Sequence, residues 1–240
     1  MNASPTEPNA PQFDLRQKVF LVLAALQVTA IIVANMIGVK LFSIDLAGIP
    51  VEHTAGMLPF PITFLLTDLL NEFYGKKAAR MVAWIAFGMA IFAFLLVLVA
   101  RALPILEGIP GTADERSFEN VFGGSMWMTL CSIVAFLLGS LLDIGIFGFF
   151  KRITHGKMVW LRATGSTVVS QLFDSFVITI LYFQVVQGLL GGEVASIDFV
   201  LRTALTGYLL KFAIAVVLTP AIYGGRYFLR KAVKLEPLPA

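Results

Sequence analysis

Apolar residues run through this chain in long blocks, separated by short polar patches. A helix that crosses a bilayer takes about 20 predominantly apolar residues. Six stretches approach or exceed that length: Lys18 to Phe42, Leu58 to Tyr74, Ala78 to Leu103, Ser125 to Phe150, Ala163 to Leu190 and Phe199 to Leu229. No stretch has the repeated short alternation of a barrel strand, so each backbone polar group must be satisfied within its own segment. The pattern predicts an all-α integral membrane protein of six transmembrane helices.

The connections differ in kind. Residues 1–16, rich in Pro, Asn, Ala and Thr, are expected as a disordered tail without the basic start and short apolar stretch of a cleaved signal peptide. Residues 17–231 form the membrane domain and 232–240 a second tail. The longest connection, Pro104 to Gly124, is expected as a solvated connector with a short helix at the headgroups.

Composition supports the membrane reading. The chain is 58% hydrophobic and 14% charged, with a mean hydropathy of +0.85, too apolar for an ordinary soluble domain. Thirteen of the eighteen basic residues fall in four clusters: Arg16 and Lys18; Lys76, Lys77 and Arg80; Lys151, Arg152, Lys157 and Arg162; Arg226, Arg230, Lys231 and Lys234. Their position beside apolar spans marks topology rather than a nucleic-acid footprint, and no nucleic acid is expected as a partner. The positive-inside rule puts both termini and the second and fourth loops in the cytoplasm, and two cytoplasmic termini require an even number of spans. One cysteine, Cys131, and two histidines, His53 and His155, leave no metal-ligand spacing, so neither metal nor cofactor is expected.

The informative residues are the polar ones inside the apolar segments. An ionised carboxylate at bilayer depth is disfavoured by ~3 kcal/mol on insertion scales and faces a cavity, a partner or a substrate. Asp68, Asn71 and Glu72 stand at i, i+3 and i+4, on one helix face. Glu72 has a simpler reading as an interfacial carboxylate paired with Lys76. Thr164, Thr167, Gln171 and Asp174 recur at steps of three or four, with Ser170, Ser175 and Gln184 nearby, a polar stripe on an apolar helix. Hydrogen-bonded helix packing explains the hydroxyls but not the aspartate. Asn35 and Gln27 add amides in the first segment. Asp143 and Lys211 are two further intramembrane charges. Lys211 must be neutralised, and Asp143 or Asp174 is the expected partner; the Lys211 and Asp143 pair is taken as the structural one, although Asp143 also lies near Lys151 and Arg152. The two most polar segments are the middle members of two three-helix halves, which predicts 3+3 inverted halves with a site between them.

Two stretches carry a family resemblance: Pro61-Ile-Thr-Phe-Leu-Leu-Thr-Asp-Leu-Leu-Asn-Glu-Phe-Tyr-Gly-Lys-Lys-Ala-Ala-Arg80 and Arg162-Ala-Thr-Gly-Ser-Thr-Val-Val-Ser-Gln-Leu-Phe-Asp-Ser-Phe176. They resemble the queuosine precursor transporter family, within the vitamin uptake transporter group, which is similar in turn to the substrate-binding subunits of energy-coupling-factor importers. The resemblance implies uptake of 7-cyano-7-deazaguanine and 7-aminomethyl-7-deazaguanine across the bacterial inner membrane. It raises Glu72 and Asp174 to ligand contacts. A carboxylate accepts from the two adjacent donors of a guanine-like edge, an amide donates to its carbonyl, and an aromatic face stacks on the ring. The expected substrate-binding set is therefore Asn35, Phe64, Asp68, Asn71, Glu72, Gln171, Asp174 and Phe176, with Phe73 and Phe173 as further stacking candidates.

Two other functions compete. A capture subunit would pass its ligand to separate ATPase subunits, since no phosphate-cradling Gly-x4-Gly-Lys-Ser/Thr loop is present here. Another small vitamin or nucleobase would fit the same polar groups, and Ala30 and Ala34 give a small-residue face for a partner helix or a homo-oligomer. An intramembrane aspartyl enzyme built on Asp68 and Asp174 is the third reading. No hydrolase or metalloprotease motif accompanies the pair, so no enzyme is expected.

Overall fold

The computed structural model describes residues 13–46, 49–106, 109, 114–123, 126–154, 158–231 and 233–238. Most of the first tail, part of the Pro104–Gly124 connection, His155 and residues 239–240 lie outside the described residues, as do the side chains of Arg162 and Thr164.

Helix α1, Leu15–Ile37, starts where Asp14 caps it: Gln17 N donates to Asp14 Oδ1 at 2.7 Å and Gln17 Oε1 accepts from Asp14 N at 3.0 Å. This reciprocal capping box satisfies two donors that the first turn leaves over. The helix ends five residues before the expected Phe42, because the chain turns at Gly38 into a hairpin of β1, Leu41–Leu46, and β2, Ile49–Thr54. Phe42 lies opposite His53 and Ile44 opposite Val51. The expected helix extends too far because Leu41 and Phe42 prolong the apolar block of α1, while Phe42, Ile44 and Leu46 alternate with Ser43 and Asp45 as a strand does.

A 3-10 turn, Ala55–Met57, leads into α2, Phe60–Ala102, with Pro61 in its first turn. Two separate segments were expected here, and the break between them is reduced to one residue. Gly75 has φ 82° and ψ 169°, a conformation nearly confined to glycine, and it divides α2 into two helical parts. Leu66, Leu70 and Phe73 before the break and Ala79, Val82 and Ala83 after it enter one apolar cluster. Helix α3, Glu115–Phe122, is the short helix of the Pro104–Gly124 connection. The Ser117 side chain and then its backbone N–H, which donates at 2.7 Å, hydrogen-bond the Asp114 carboxylate at the N-cap and hold that carboxyl below its usual range, and Arg101 fastens the helix to α2 through Glu119 at 2.7 and 2.9 Å.

Helix α4 is Met126–Ile153 and α5 is Val159–Ile180. A π-helical turn, Leu181–Val186, and the one-turn α6, Gln187–Leu189, prolong α5. Helix α7, Ile197–Lys231, contains Pro220.

Among the described residues, four stretches are long and apolar enough to cross a membrane: Leu15–Ile37, Ala55–Ala102, Glu115–Ile153 and Gly165–Leu189. The expected second and third spans are merged in one of them, and α7, which carries Arg202, Lys211 and Arg226 along its length, is not among the four. The exterior is what a bilayer requires. On the second part of α2, Trp84, Ile85, Phe92, Leu96 and Val99 are exposed while Ala79, Ala83, Ala86 and Ala90 are buried. Large side chains thus point outward and small ones let helices approach. The polar residues reverse the soluble pattern: Gln27, Asp68, Asn71, Asp143, Ser170 and Gln171 are buried. A multi-pass membrane protein accounts for both faces.

Candidate functional site

Helices α2, α4, α5 and α7 form a ring. Among the described residues, α2 packs on α4 and α7, and α5 packs on the same two, while the diagonal pairs make no extensive contact. The two helices with the densest buried polar faces, α2 and α5, therefore stand across the ring from each other.

On α2 the i, i+3, i+4 spacing holds as read: Asp68 is 2%, Asn71 3% and Glu72 4% exposed. Asn71 Nδ2 donates to the Ile144 carbonyl of α4 at 3.2 Å. One turn earlier, Gln27 of α1 donates to Thr67 Oγ1 at 3.2 Å, and Thr67 donates to its own helix at the Thr63 carbonyl. Glu72 does not pair with Lys76. Its carboxylate lies 3.6 Å from Lys151 Nζ and 3.3 Å from an Arg226 nitrogen, so α4 and α7 both close on it. The reason is the break at Gly75: Lys76 follows a non-helical residue, and the i+4 geometry that a continuous helix would give is lost.

That break also frees the last carbonyls of the first part of α2. Leu238 N donates to the Glu72 carbonyl at 3.1 Å, Lys151 Nζ approaches it at 3.4 Å, and the Arg16 guanidinium donates to the Phe73 carbonyl. Cations suit this position because a helix C-terminus carries partial negative charge. Arg16 also lies over the Tyr74 ring at 5.3 Å. Basic residues assigned to one side by topology thus meet at one end of the bundle.

On α5, Thr167, Ser170, Gln171, Asp174 and Ser175 are buried, as the polar stripe predicts. Asp174 accepts from Lys211 Nζ of α7 at 2.6 Å. Lys211 therefore pairs with Asp174 and not with Asp143. Asp143, on α4, faces the serines of α5 instead: Ser170 Oγ donates to its Oδ1 at 3.1 Å, and Ser166 also hydrogen-bonds it. Nor does Asp143 take Lys151, which Glu72 holds. Asp174 sits close to α4 because residue 139 is glycine; a Cβ there would lie 3.3 Å from Asp174 Cβ and 3.5 Å from its Oδ1. Gln27 Oε1, Gln171 Oε1 and Ser175 Oγ are buried without a hydrogen-bond partner among the described residues. Buried polar atoms are normally satisfied, so these acceptors and this hydroxyl suit a polar guest.

Other expected residues fall elsewhere. Asn35 is half-buried and turns back on α1, its Nδ2 donating to the Ile31 carbonyl at 2.9 Å. Gln184, in the π-helical turn, donates to the Ala195 carbonyl at 2.6 Å and so fastens a loop. Among the aromatic candidates, Phe73 is fully buried in an apolar cluster and Phe173 is 43% exposed on the outer face of α5. Phe64 and Phe176 are half-buried. Phe60, which the sequence did not single out, lies under Lys211 Nζ at 4.9 Å and within 6.1 Å of the Phe64 ring. Lys151, Arg226 and Gly139 were also missed as site residues. The two cations read as topology markers, and a glycine in an apolar helix gives no signal of what it faces.

Residues 54–225 match the family described as "Putative vitamin uptake transporter". The chain is similar to the "Probable queuosine precursor transporter" of Bacillus subtilis, 31% identical over 82% of this chain and 80% of that protein. It is 27% identical to the "Queuosine precursor transporter" of Escherichia coli over 72% of each chain. It is 26% identical to the "Probable queuosine precursor transporter" of Haemophilus influenzae over 72% of this chain and 68% of that one. No solved structure matches the chain.

Proposed function

The chain belongs to the vitamin uptake transporter family and is a multi-pass bacterial membrane protein, and from that premise we propose that it takes up queuosine precursors through the polar interior of the α2, α4, α5 and α7 ring. One observation carries this reading. The buried polar faces of α2 and α5 stand across the ring, inside a bundle whose outer surface is apolar. The relatives' names supply the ligand class, queuosine precursors, and within that class we take 7-cyano-7-deazaguanine and its aminomethyl relative as the ligands.

A 7-deazaguanine offers a ring N–H and an exocyclic amine as adjacent donors, beside a carbonyl acceptor. In this reading Asp174 and Gln171 accept from one edge, with Ser175 beside them. Asp68 and Asn71 meet the ligand from α2, and Phe60 or Phe64 stacks on the ring. Stacking of this kind contributes ~1 to 3 kcal/mol. Glu72 and Asp174 each already hold cations, so either one reaches the ligand by exchanging a cationic partner for ligand donors. That exchange keeps the buried carboxylate hydrogen-bonded at every stage, since the ligand's donors take the place of the cation's.

Six crossings complete the proposal: α1, the two parts of α2 on either side of Gly75, α4, α5 with its π-helical extension, and α7. Both termini then lie in the cytoplasm of a protein in the inner membrane. Residues 17–231 form the transport domain as 3+3 inverted halves.

The test is queuosine content of tRNA in cells that cannot make the precursor and are fed it. Glu72→Gln or Asp174→Asn abolishes the signal while membrane insertion persists; normal signal from both variants removes the site assignment. Proteoliposomes holding this chain alone separate a self-sufficient carrier from a capture subunit. Uptake that needs added ATPase subunits assigns the latter.

A further inference from the structure

We propose that the end of α7 carries a binding site for an anionic phosphate group of the kind a phospholipid presents at its headgroup. A cavity of about 700 Å³ lies there, lined by Tyr223, Arg226, Tyr227, Arg230, Lys231 and Glu236. Three cations surround it against one carboxylate. Its location is suited to lipid: α7 has 35 residues and rises about 50 Å, against ~30 Å of hydrocarbon, so its last turns reach headgroup depth. Tyr223 and Tyr227 are 42% and 60% exposed, the amphipathic placement expected of tyrosines at a membrane interface.

The cations are only partly engaged by the protein. Lys231 Nζ lies over the Tyr227 ring at 5.1 Å. Arg230 approaches Glu236 at 3.6 Å, but the two side chains are 49% and 77% exposed, and exposed pairs of this kind are weak and readily exchanged. Arg226 spends one terminal nitrogen on Glu72, while its Nε is buried with no hydrogen-bond partner among the described residues. A guanidinium with a donor to spare, beside a second guanidinium and an ammonium, matches the oxygens of a phosphate. Basic pockets between membrane helices hold acidic headgroups by this chemistry. Because Arg226 faces both the pocket and Glu72, a seated phosphate competes with Glu72 for the same guanidinium, which links lipid occupancy to the inner end of the transport site proposed above.

The experiment is native mass spectrometry of the full chain in a neutral detergent, titrated with dioleoylphosphatidylglycerol, dioleoylphosphatidylcholine or inorganic phosphate. Phosphatidylglycerol is expected to bind saturably and phosphatidylcholine not to. The double variant Arg230→Gln and Lys231→Gln, at exposed positions, weakens binding by about 25-fold, from about 5-fold per basic side chain. Glu236→Gln strengthens it. Inorganic phosphate that binds at the same site when phosphatidylglycerol does not would assign a soluble phosphate as the source. Binding of neither, or phosphatidylglycerol binding that survives the double variant, overturns the site. None of these outcomes depends on precursor uptake, so they stand or fall apart from the transport reading.

Discussion

Removing one member of the Asp174 and Lys211 pair should destabilise the protein far more than removing both. The charges lie 2.6 Å apart, with side chains 5% and 10% exposed. At that separation and an effective dielectric of ~20 their attraction is about 6 kcal/mol. Desolvation of the two ions offsets much of this, so the pair itself adds little, but a single survivor retains the full desolvation cost. Breaking such a pair costs about 3 to 5 kcal/mol. For a chain of this size, at about 2 to 4 °C per kcal/mol, the expected loss in Tm is about 6 to 20 °C for Lys211→Met or Asp174→Asn. The double variant should recover most of that loss, because neither charge is stranded. Uptake divides the same variants differently: it should stay lost in the double variant, since the proposed site requires the Asp174 carboxylate to accept from the ligand. The assay is thermal unfolding of purified protein in detergent, arranged as a double-mutant cycle, beside precursor uptake in cells. Lys211→Met that leaves Tm unchanged would refute the desolvated pair. A double variant with wild-type uptake would refute a ligand role for Asp174.

Three further outcomes follow from local geometry. Gly139→Leu should push α5 away from α4 at Asp174, costing about 1 to 3 kcal/mol with loss of uptake, whereas Gly139→Ala needs a shift of only a few tenths of an ångström and should retain partial transport; Tm and uptake measured together check both. Phe173→Leu, on the exposed face of α5, should leave uptake within error, while Phe60→Leu, which removes the ring under Lys211, should raise the half-saturating precursor concentration several-fold. Gly75→Ala places a side chain at φ 82° and against Leu238, so it should lower stability by about 1 to 2 kcal/mol, read as a fall in Tm.

Much of this molecule was legible from spacing. Asp68, Asn71 and Glu72 at i, i+3 and i+4 had to share a face, and Thr167, Gln171 and Asp174 had to form a stripe, because 3.6 residues per turn leaves no alternative within a helix. Their burial followed from the cost of a carboxylate in lipid. Where spacing misleads, the cause is a break in the helix or a choice between helices. Lys76 lost its expected partner because one glycine departs from helical dihedrals. The β1 and β2 hairpin was hidden because its apolar residues continue the block of α1. Phe60 gave no signal among 21 phenylalanines, since only the position of α7 puts a lysine over it.

The sequence by itself determined that the chain is a helical membrane protein, which faces of its helices are polar, and that Lys211 needs a carboxylate. These are properties of single segments, set by helical periodicity and by the transfer of charge into hydrocarbon. Only the tertiary structure decided which carboxylate that is. Asp143 and Asp174 are equally plausible by sequence, but α4 turns the first toward Ser170, and the close approach at Gly139 sets the second against α7. Pairing between helices depends on how side chains of different size let their axes approach and rotate, and that information is spread over every contact in the bundle rather than held in any one segment.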